Sequence, residues 1–120
     1  MVLAIVIKRV YEAPSEDDGY RILVDRLWPR GLKKEEAKVD LWLKEVAPSN
    51  ELRKWYGHRP EKWEEFKQRY GRELEGKEEL VAQIRSRAEG QKVTLLFGSK
   101  EERLNNAQAL KEYVEQERRS

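Results

Sequence analysis

Residues 78–118, EELVAQIRSRAEGQKVTLLFGSKEERLNNAQALKEYVEQER, decide the fold. Glu78 to Ala88 sets Leu80, Val81 and Ile84 at helical spacing, and Gly90 stands where a left-handed cap closes a helix. Lys92 to Phe97 then reads as a strand of the buried type. Glu101 to Arg118 returns to a helical stripe through Leu104, Ala107, Leu110 and Val114. Helix, strand and helix in that order make a crossover unit, and an α/β layer fold follows.

Upstream, Leu3 to Tyr11 is rich in Ile and Val and predicts a first strand. Glu12 to Gly19, with its Pro, Ser, Asp and Gly, is a surface loop. Tyr20 to Asp25 is the second strand, its Ile22, Leu23 and Val24 forming a continuous apolar run. The linker is long enough for a wide hairpin and short for a helical crossover, so strands one and two are antiparallel or not adjacent. Leu32 to Lys38 resembles a short helix. Val39 to Val46 alternates Val39, Leu41 and Leu43 against Asp40, Trp42 and Lys44, which favours a strand over a helix.

Ser49, after Pro48, is placed to cap a short helix that ends near Gly57. From Pro60, a good first-turn residue, Trp63, Phe66, Tyr70 and Leu74 mark one apolar stripe, which Gly71 and Gly76 weaken or break. The expected architecture is a single domain over 1–120: a small layered sheet of about four mostly parallel strands flanked by helices.

Composition narrows the function. Hydrophobic residues are 38% and charged residues 40% of the 120, so the apolar minority must gather on a few strands and helix stripes beneath a densely ionic surface. Cysteine is absent, which excludes disulfides and a thiol nucleophile; together with abundant Lys, Arg and Glu it is compatible with a thermophilic source. One histidine and no cysteine make no zinc ligand set, and neither a phosphate-loop motif nor a dinucleotide glycine fingerprint occurs, so no metal or cofactor is implied. No apolar run has the roughly 18 residues of a membrane helix, and Leu3 to Ile7 is too short for a signal-peptide core, so the expected location is cytoplasmic with no membrane partner.

Charge is unevenly spread. Residues 1–25 hold three basic and five acidic side chains, residues 26–59 nine and five, and residues 60–120 thirteen of each. The excess coincides with GYRILVDRLWPRG, residues 19–31, where the second strand runs into a loop holding Asp25, Arg26, Trp28 and Arg30. Parallel sheets bind ligands beyond the carboxyl ends of their strands, and two guanidiniums beside an indole suit an anionic or planar partner. The chain as a whole is not basic enough to favour nucleic acid over a small anion.

A second candidate is Phe97 to Arg103, the turn into the last helix, where Gly98, Ser99, Lys100 and the amides of a helix start would attract an anion. The simpler reading makes Ser99 a helix cap and leaves Lys100 solvated. Asn105 and Asn106 are poor helix formers placed early in that helix, so one of them ties down a neighbouring loop or meets a ligand. His58, the sole histidine, lies in a turn and is a weak candidate for acid–base work beside a structural role. Asp25 serves as a base or, more in keeping with its place, holds Arg26, Arg30 or Arg53.

These segments together carry a resemblance. GYRILVDRLWPRG at 19–31, WLKEVAPSNELRKWYGH at 42–58, the Trp63, Phe66, Tyr70 helix and TLLFGSKEERLNNA at 94–107 resemble the YeaO-like proteins, small uncharacterised bacterial and archaeal proteins within a larger domain-of-unknown-function group. The resemblance spans nearly the whole chain and implies an α/β fold with no assigned activity. Its motif positions fall here on Asp25, Arg26, Trp28, Arg30, Gly31, Lys44, Pro48, Ser49, Arg53, His58 and Asn106. The wider group resembles proteins with a cysteine-containing loop after the last strand, where this chain has Phe97 and Ser99, so no thiol mechanism carries over.

The reading that joins these features is a phosphate- or carboxylate-bearing small molecule held by Arg26, Arg30 and Arg53, covered by Trp28, with Lys44, Ser99, Lys100 and Asn106 around it. A protein- or RNA-interaction surface is the alternative, and a hydrolase or transferase using Asp25 or His58 a third. A small-molecule site needs concavity, whereas a binding face can be flat.

Overall fold

The computed structural model describes residues 3–117. It is an α/β fold built on one sheet of four strands in the order β1-β4-β2-β3, with every neighbouring pair parallel. The strands are β1 (Ile5–Arg9), β2 (Tyr20–Leu23), β3 (Leu41–Trp42) and β4 (Val93–Phe97). Five helices accompany them: α1 (Lys34–Ala37), α2 (Asn50–Tyr56), α3 (Trp63–Glu75), α4 (Glu78–Gly90) and α5 (Asn106–Glu117). The expected end of the last helix at Arg118 lies outside the described residues.

β4 is central because it can be: all five of its residues are buried, and it offers hydrogen bonds on both sides. Its pairing aligns Leu95 with Ile7 and Ile22, and Leu96 with Lys8 and Leu23. Since side chains alternate across a strand, this register sorts the core into two layers. Ile5, Ile22, Val24, Val93, Leu95 and Phe97 join the main core, with the apolar stripes of α2 to α5. Leu23, Leu96, Val10 and Ala37 form a smaller core on the other face, beneath Trp28, Leu32, Val39 and Trp42.

β1 and β2 are not adjacent; β4 lies between them, so the connection is neither a hairpin nor a helical crossover. Two strand spacings are only about 10 Å, well within reach of a ten-residue link. A single 3-10 turn at Glu16–Asp18, capped by Ser15, shapes that link, and Gly19 ends it at φ +65. A Cβ on Gly19 would collide with the Lys92 carbonyl, the same oxygen that accepts from the Tyr20 amide at 2.9 Å. Glycine is therefore required there on two counts.

Asp18 and Arg21 form a buried ion pair behind this link. Arg21 also donates to the carbonyls of Ala37 (2.7 Å) and Lys38 (3.0 Å), and so fastens α1 to the sheet. Burial raises the cost of charging Asp18, but the Ser15 amide, Lys8 and Arg21 outweigh it and hold the carboxyl below its ordinary pKa.

Four local expectations need correction. The strand predicted over 39–46 shrinks to Leu41–Trp42, followed by a 3-10 turn at Lys44–Val46, because it is a sheet edge paired only to β2. Gly90 is the last residue of α4 rather than a left-handed cap, and Gln91 leaves it extended. Gly71 does not interrupt α3, where a Cβ would meet the Tyr113 ring at an ordinary contact distance of 3.7 Å. The last helix begins at Asn106, not Glu101: the Asn105 side chain accepts from the Gln108 amide at 2.9 Å and caps it. The predicted Ser49 cap, by contrast, accepts from Leu52 N at 3.1 Å, and α2 closes at Gly57 with φ +52. Among the described residues no helix is long and apolar enough to cross a membrane.

Candidate functional site

A cavity of about 580 Å³ opens beyond the carboxyl ends of β2 and β4. That is where a parallel α/β sheet places its ligands, and the volume is in the range of small-molecule sites. Asp25, Arg26 and Leu27 enter it from the end of β2, Ser99 from the end of β4, Asn106 from the start of α5. The 47–58 segment supplies Ala47, Pro48, Asn50, Arg53, Tyr56, Gly57 and His58, and α3 adds Phe66.

Asp25 is the knot of the floor. One carboxylate oxygen accepts from the Gly98 amide at 2.8 Å and the other from Asn106 Nδ2 at 3.1 Å. Asn106 Nδ2 also reaches the Val24 carbonyl at 3.2 Å, and Trp42 Nε1 donates to the Asp25 carbonyl at 2.8 Å. Gly98 must be small here, since a Cβ would stand 3.2 Å from the Asp25 carboxylate. Burial pushes the Asp25 carboxyl up from its ordinary pKa against the opposing pull of Gly98, Asn106 and the Arg53 charge. Asp25 thus ties two strand ends and a helix together; it does not grip an arginine.

The loop after β4 is closed by its own chemistry. Glu101 accepts from the amides of Arg103 (3.0 Å) and Leu104 (3.1 Å), which hold its carboxyl below the ordinary range. Ser99 Oγ donates to the Glu101 carbonyl at 3.2 Å, and Arg9, which sequence reasoning missed, clasps the Ser99 and Gly98 carbonyls at 2.9 and 3.3 Å. Ser99 is accordingly not a helix cap.

The arginines of the cavity are held far more loosely. Arg26 reaches the Ala47 carbonyl at 3.4 Å and Glu45 at 3.9 Å, and its buried Nε has no hydrogen-bond partner. Arg53 is exposed and touches Asn50 Oδ1 at 3.4 Å. Contacts this long are weak. His58 is exposed, in the left-handed region at φ +56, with its ring 5.6 Å from that of Tyr56. Tyr56 donates to the Leu104 carbonyl at 2.7 Å; burial and the Glu101 charge push its phenol up to about 12.

Of the residues singled out from sequence, the structure brings Asp25, Arg26, Pro48, Arg53, His58, Ser99 and Asn106 to one cavity. It sends the others elsewhere. Trp28 packs edge-on against Trp42 (5.5 Å) and donates to the Leu32 carbonyl at 2.6 Å, in the smaller core on the opposite sheet face. Lys44 lies over the Trp42 ring, Arg30 is exposed with its carbonyl taken by Tyr11, and Lys100 is exposed off the lining. Phe66 belongs to the apolar stripe that the sequence predicts, and Tyr56 carries no sequence signal of its own; nothing local in a stripe marks the residue that ends at a cavity. Among the described residues no three His, Cys, Asp or Glu side chains are grouped to hold a metal.

Comparison with known proteins adds the lineage. Residues 4–120 match the family model described as the inactive DUF488-N3 subclade. Over 107 residues, 89% of this chain and 93% of the relative, it is 41% identical to the uncharacterised protein YeaO of Escherichia coli strain K12. Over 68 residues it is 54% identical to the uncharacterised proteins Mb3100c of Mycobacterium bovis and Rv3073c of Mycobacterium tuberculosis; that match covers 57% of this chain and 58% of each relative. No solved structure matches.

Proposed function

This chain belongs to the inactive DUF488-N3 subclade, and on that footing we propose that it binds a phosphate- or carboxylate-bearing small molecule in the cavity at the ends of β2 and β4. One observation carries the reading: the two arginines on the cavity wall are both loosely held. Arg26 Nε is buried without a partner and the other contacts of Arg26 and Arg53 are 3.4 Å or longer. The terminal nitrogens of Arg26 and Arg53, held only by these long contacts, are the donors that an anion in the cavity would meet.

The family description as inactive supports binding without turnover, and so does Asp25, whose two carboxylate oxygens are both engaged within the fold. Concavity favours a small molecule over a flat interaction face. Arg30, Lys44, Trp28 and Lys100 play no part in this version of the site.

The test is a thermal-shift and calorimetric screen against phosphorylated metabolites, nucleotides, organic acids and short RNA, with Arg53→Ala beside the parent chain. Stabilisation by a small anion that weakens about tenfold in the variant supports the site. A response to RNA alone, falling steeply with salt, would overturn it in favour of an interaction surface.

A further inference from the structure

Resting on that anion site, we infer that its ligand is a singly charged carboxylic acid on an apolar body, and not a phosphate ester. Two features separate these classes. A phosphate in a strand-end loop is cradled by backbone amides. In this loop the Gly98 amide is taken by the Asp25 carboxylate, and those of Arg103 and Leu104 by Glu101. These three amides are thus taken by the protein's own carboxylates and are not free for phosphate oxygens.

Charge balance points the same way. Arg26 and Arg53 face the cavity, but Asp25 lies on its floor, Glu45 stands 3.9 Å from Arg26, and the charge of Glu101 acts on both His58 and Tyr56. With three carboxylates beside two guanidiniums the local charge is not positive overall, so an anion is held only by direct pairing with the arginines, and a second negative charge on it would add repulsion without adding a partner. Much of the remaining lining is apolar: Ala47, Pro48, Tyr56 and Phe66, with Leu27, 74% exposed. Such a wall gives nothing to a sugar phosphate, whereas an aromatic or aliphatic group would lose water against it.

The acid then sits between Arg26 and Arg53, and the body lies along Tyr56 and Phe66, with Leu27 folding over its outer end. Because selectivity comes from the apolar contact, affinity should climb with chain length rather than with charge. Each buried methylene is expected to tighten binding about fourfold.

Two-dimensional NMR titration of the whole chain at pH 7.5 tests this with acetate, phenylacetate, 3-phenylpropionate, phenylacetamide, inorganic phosphate and phenyl phosphate. Expected are shifts at Gly98, Arg53 and Tyr56, with 3-phenylpropionate tighter than phenylacetate and both at least tenfold tighter than acetate or phenyl phosphate. Arg53→Gln, an exposed position that should not disturb folding, is expected to weaken phenylacetate about tenfold while leaving phenylacetamide unchanged. Phenyl phosphate or inorganic phosphate binding as tightly as phenylacetate at these residues would overturn the inference and leave the anion site standing. Equal binding of phenylacetamide and phenylacetate by the parent chain, or no shift from any anion, would overturn both.

Discussion

Asn106→Ala removes one amide, and its cost should depend on pH in a way that reports on Asp25. In the fold, Asn106 Nδ2 serves the Asp25 carboxylate at 3.1 Å and the Val24 carbonyl at 3.2 Å. A hydrogen bond to a buried charge contributes about 1.5–3 kcal/mol and one to a neutral group about 1 kcal/mol or less at these lengths. The variant should therefore lose about 2 kcal/mol near neutral pH, a fall in Tm of about 6–10 °C for a chain of this size. Asp25 already has a folded-state pKa raised above its ordinary 3.8, so its ionisation costs stability as pH rises; Asn106 lessens that cost. Without Asn106 the folded pKa rises further, and the penalty grows with pH from the parent's folded pKa up through the variant's. Below both values only the loss of the neutral contacts remains, about 1 kcal/mol. Urea unfolding of parent and variant from pH 4.5 to 8 measures this directly. A penalty that stays flat over that range would refute the coupling, and an Asp25→Asn background, in which the pH dependence must vanish, closes the double-mutant cycle.

Arg21→Met should cost about 3 kcal/mol, because it takes from buried Asp18 one of its two cations and leaves two carbonyls without their donor. Asp18 is held below 3.8, so its stabilisation is present above that pH and is lost as pH falls through the folded value. The acid-unfolding midpoint of Arg21→Met should consequently move to higher pH; an unmoved midpoint in circular dichroism would count against the pair. Trp28→Ala should lose about 2 kcal/mol, as a half-buried indole packed on Trp42 does, while leaving anion affinity at the cavity unchanged. If calorimetry showed weaker binding in that variant, the assignment of Trp28 to the opposite face would fail. Gly19→Ala should cost about 2 kcal/mol or more through φ and the Lys92 carbonyl, and a parent-like urea midpoint would contradict this.

Where a segment's neighbours are close in sequence, its structure is legible. The Ser49 cap is set by Leu52 three residues on, and the stripe Trp63, Phe66, Tyr70, Leu74 faces one way whatever it meets. β4 is recognisable because five residues buried on both faces leave little else for them to be. What stays hidden is decided across the chain. Asp25 meets Gly98 and Asn106, 73 and 81 residues away, and nothing in DRLWPRG says that its carboxylate has a backbone amide to satisfy. Trp28 and Arg30 look like recognition residues for the same reason that they are surface-loop residues, but β3, short as it is, brings Trp42 under the indole. The start of α5 misleads because Glu101 can cap from within a loop as well as favour a helix N-terminus, and here Asn105 outcompetes it.

The arginines show how structure and function divide in such a charged chain. Arg21 places three nitrogens on one carboxylate and two carbonyls, and Arg9 places two on the loop after β4; each is spent within the fold. Lack of a partner does not by itself make a binding group, as Arg85 on α4 illustrates: its Nε and one terminal nitrogen are buried and unpartnered, yet it lines no part of the cavity. Concavity is the second condition. Only Arg26 and Arg53 meet both, being weakly held and lining the cavity at the ends of the central strands. The carboxylates that fill the neighbouring amides sharpen this choice, since a loop already neutralised by Asp25 and Glu101 can hold its shape without a ligand. A floor already hydrogen-bonded within the fold lets binding energy go into selection instead of ordering, and what is selected then depends on the two loosely held guanidiniums and the apolar residues that share the cavity with them.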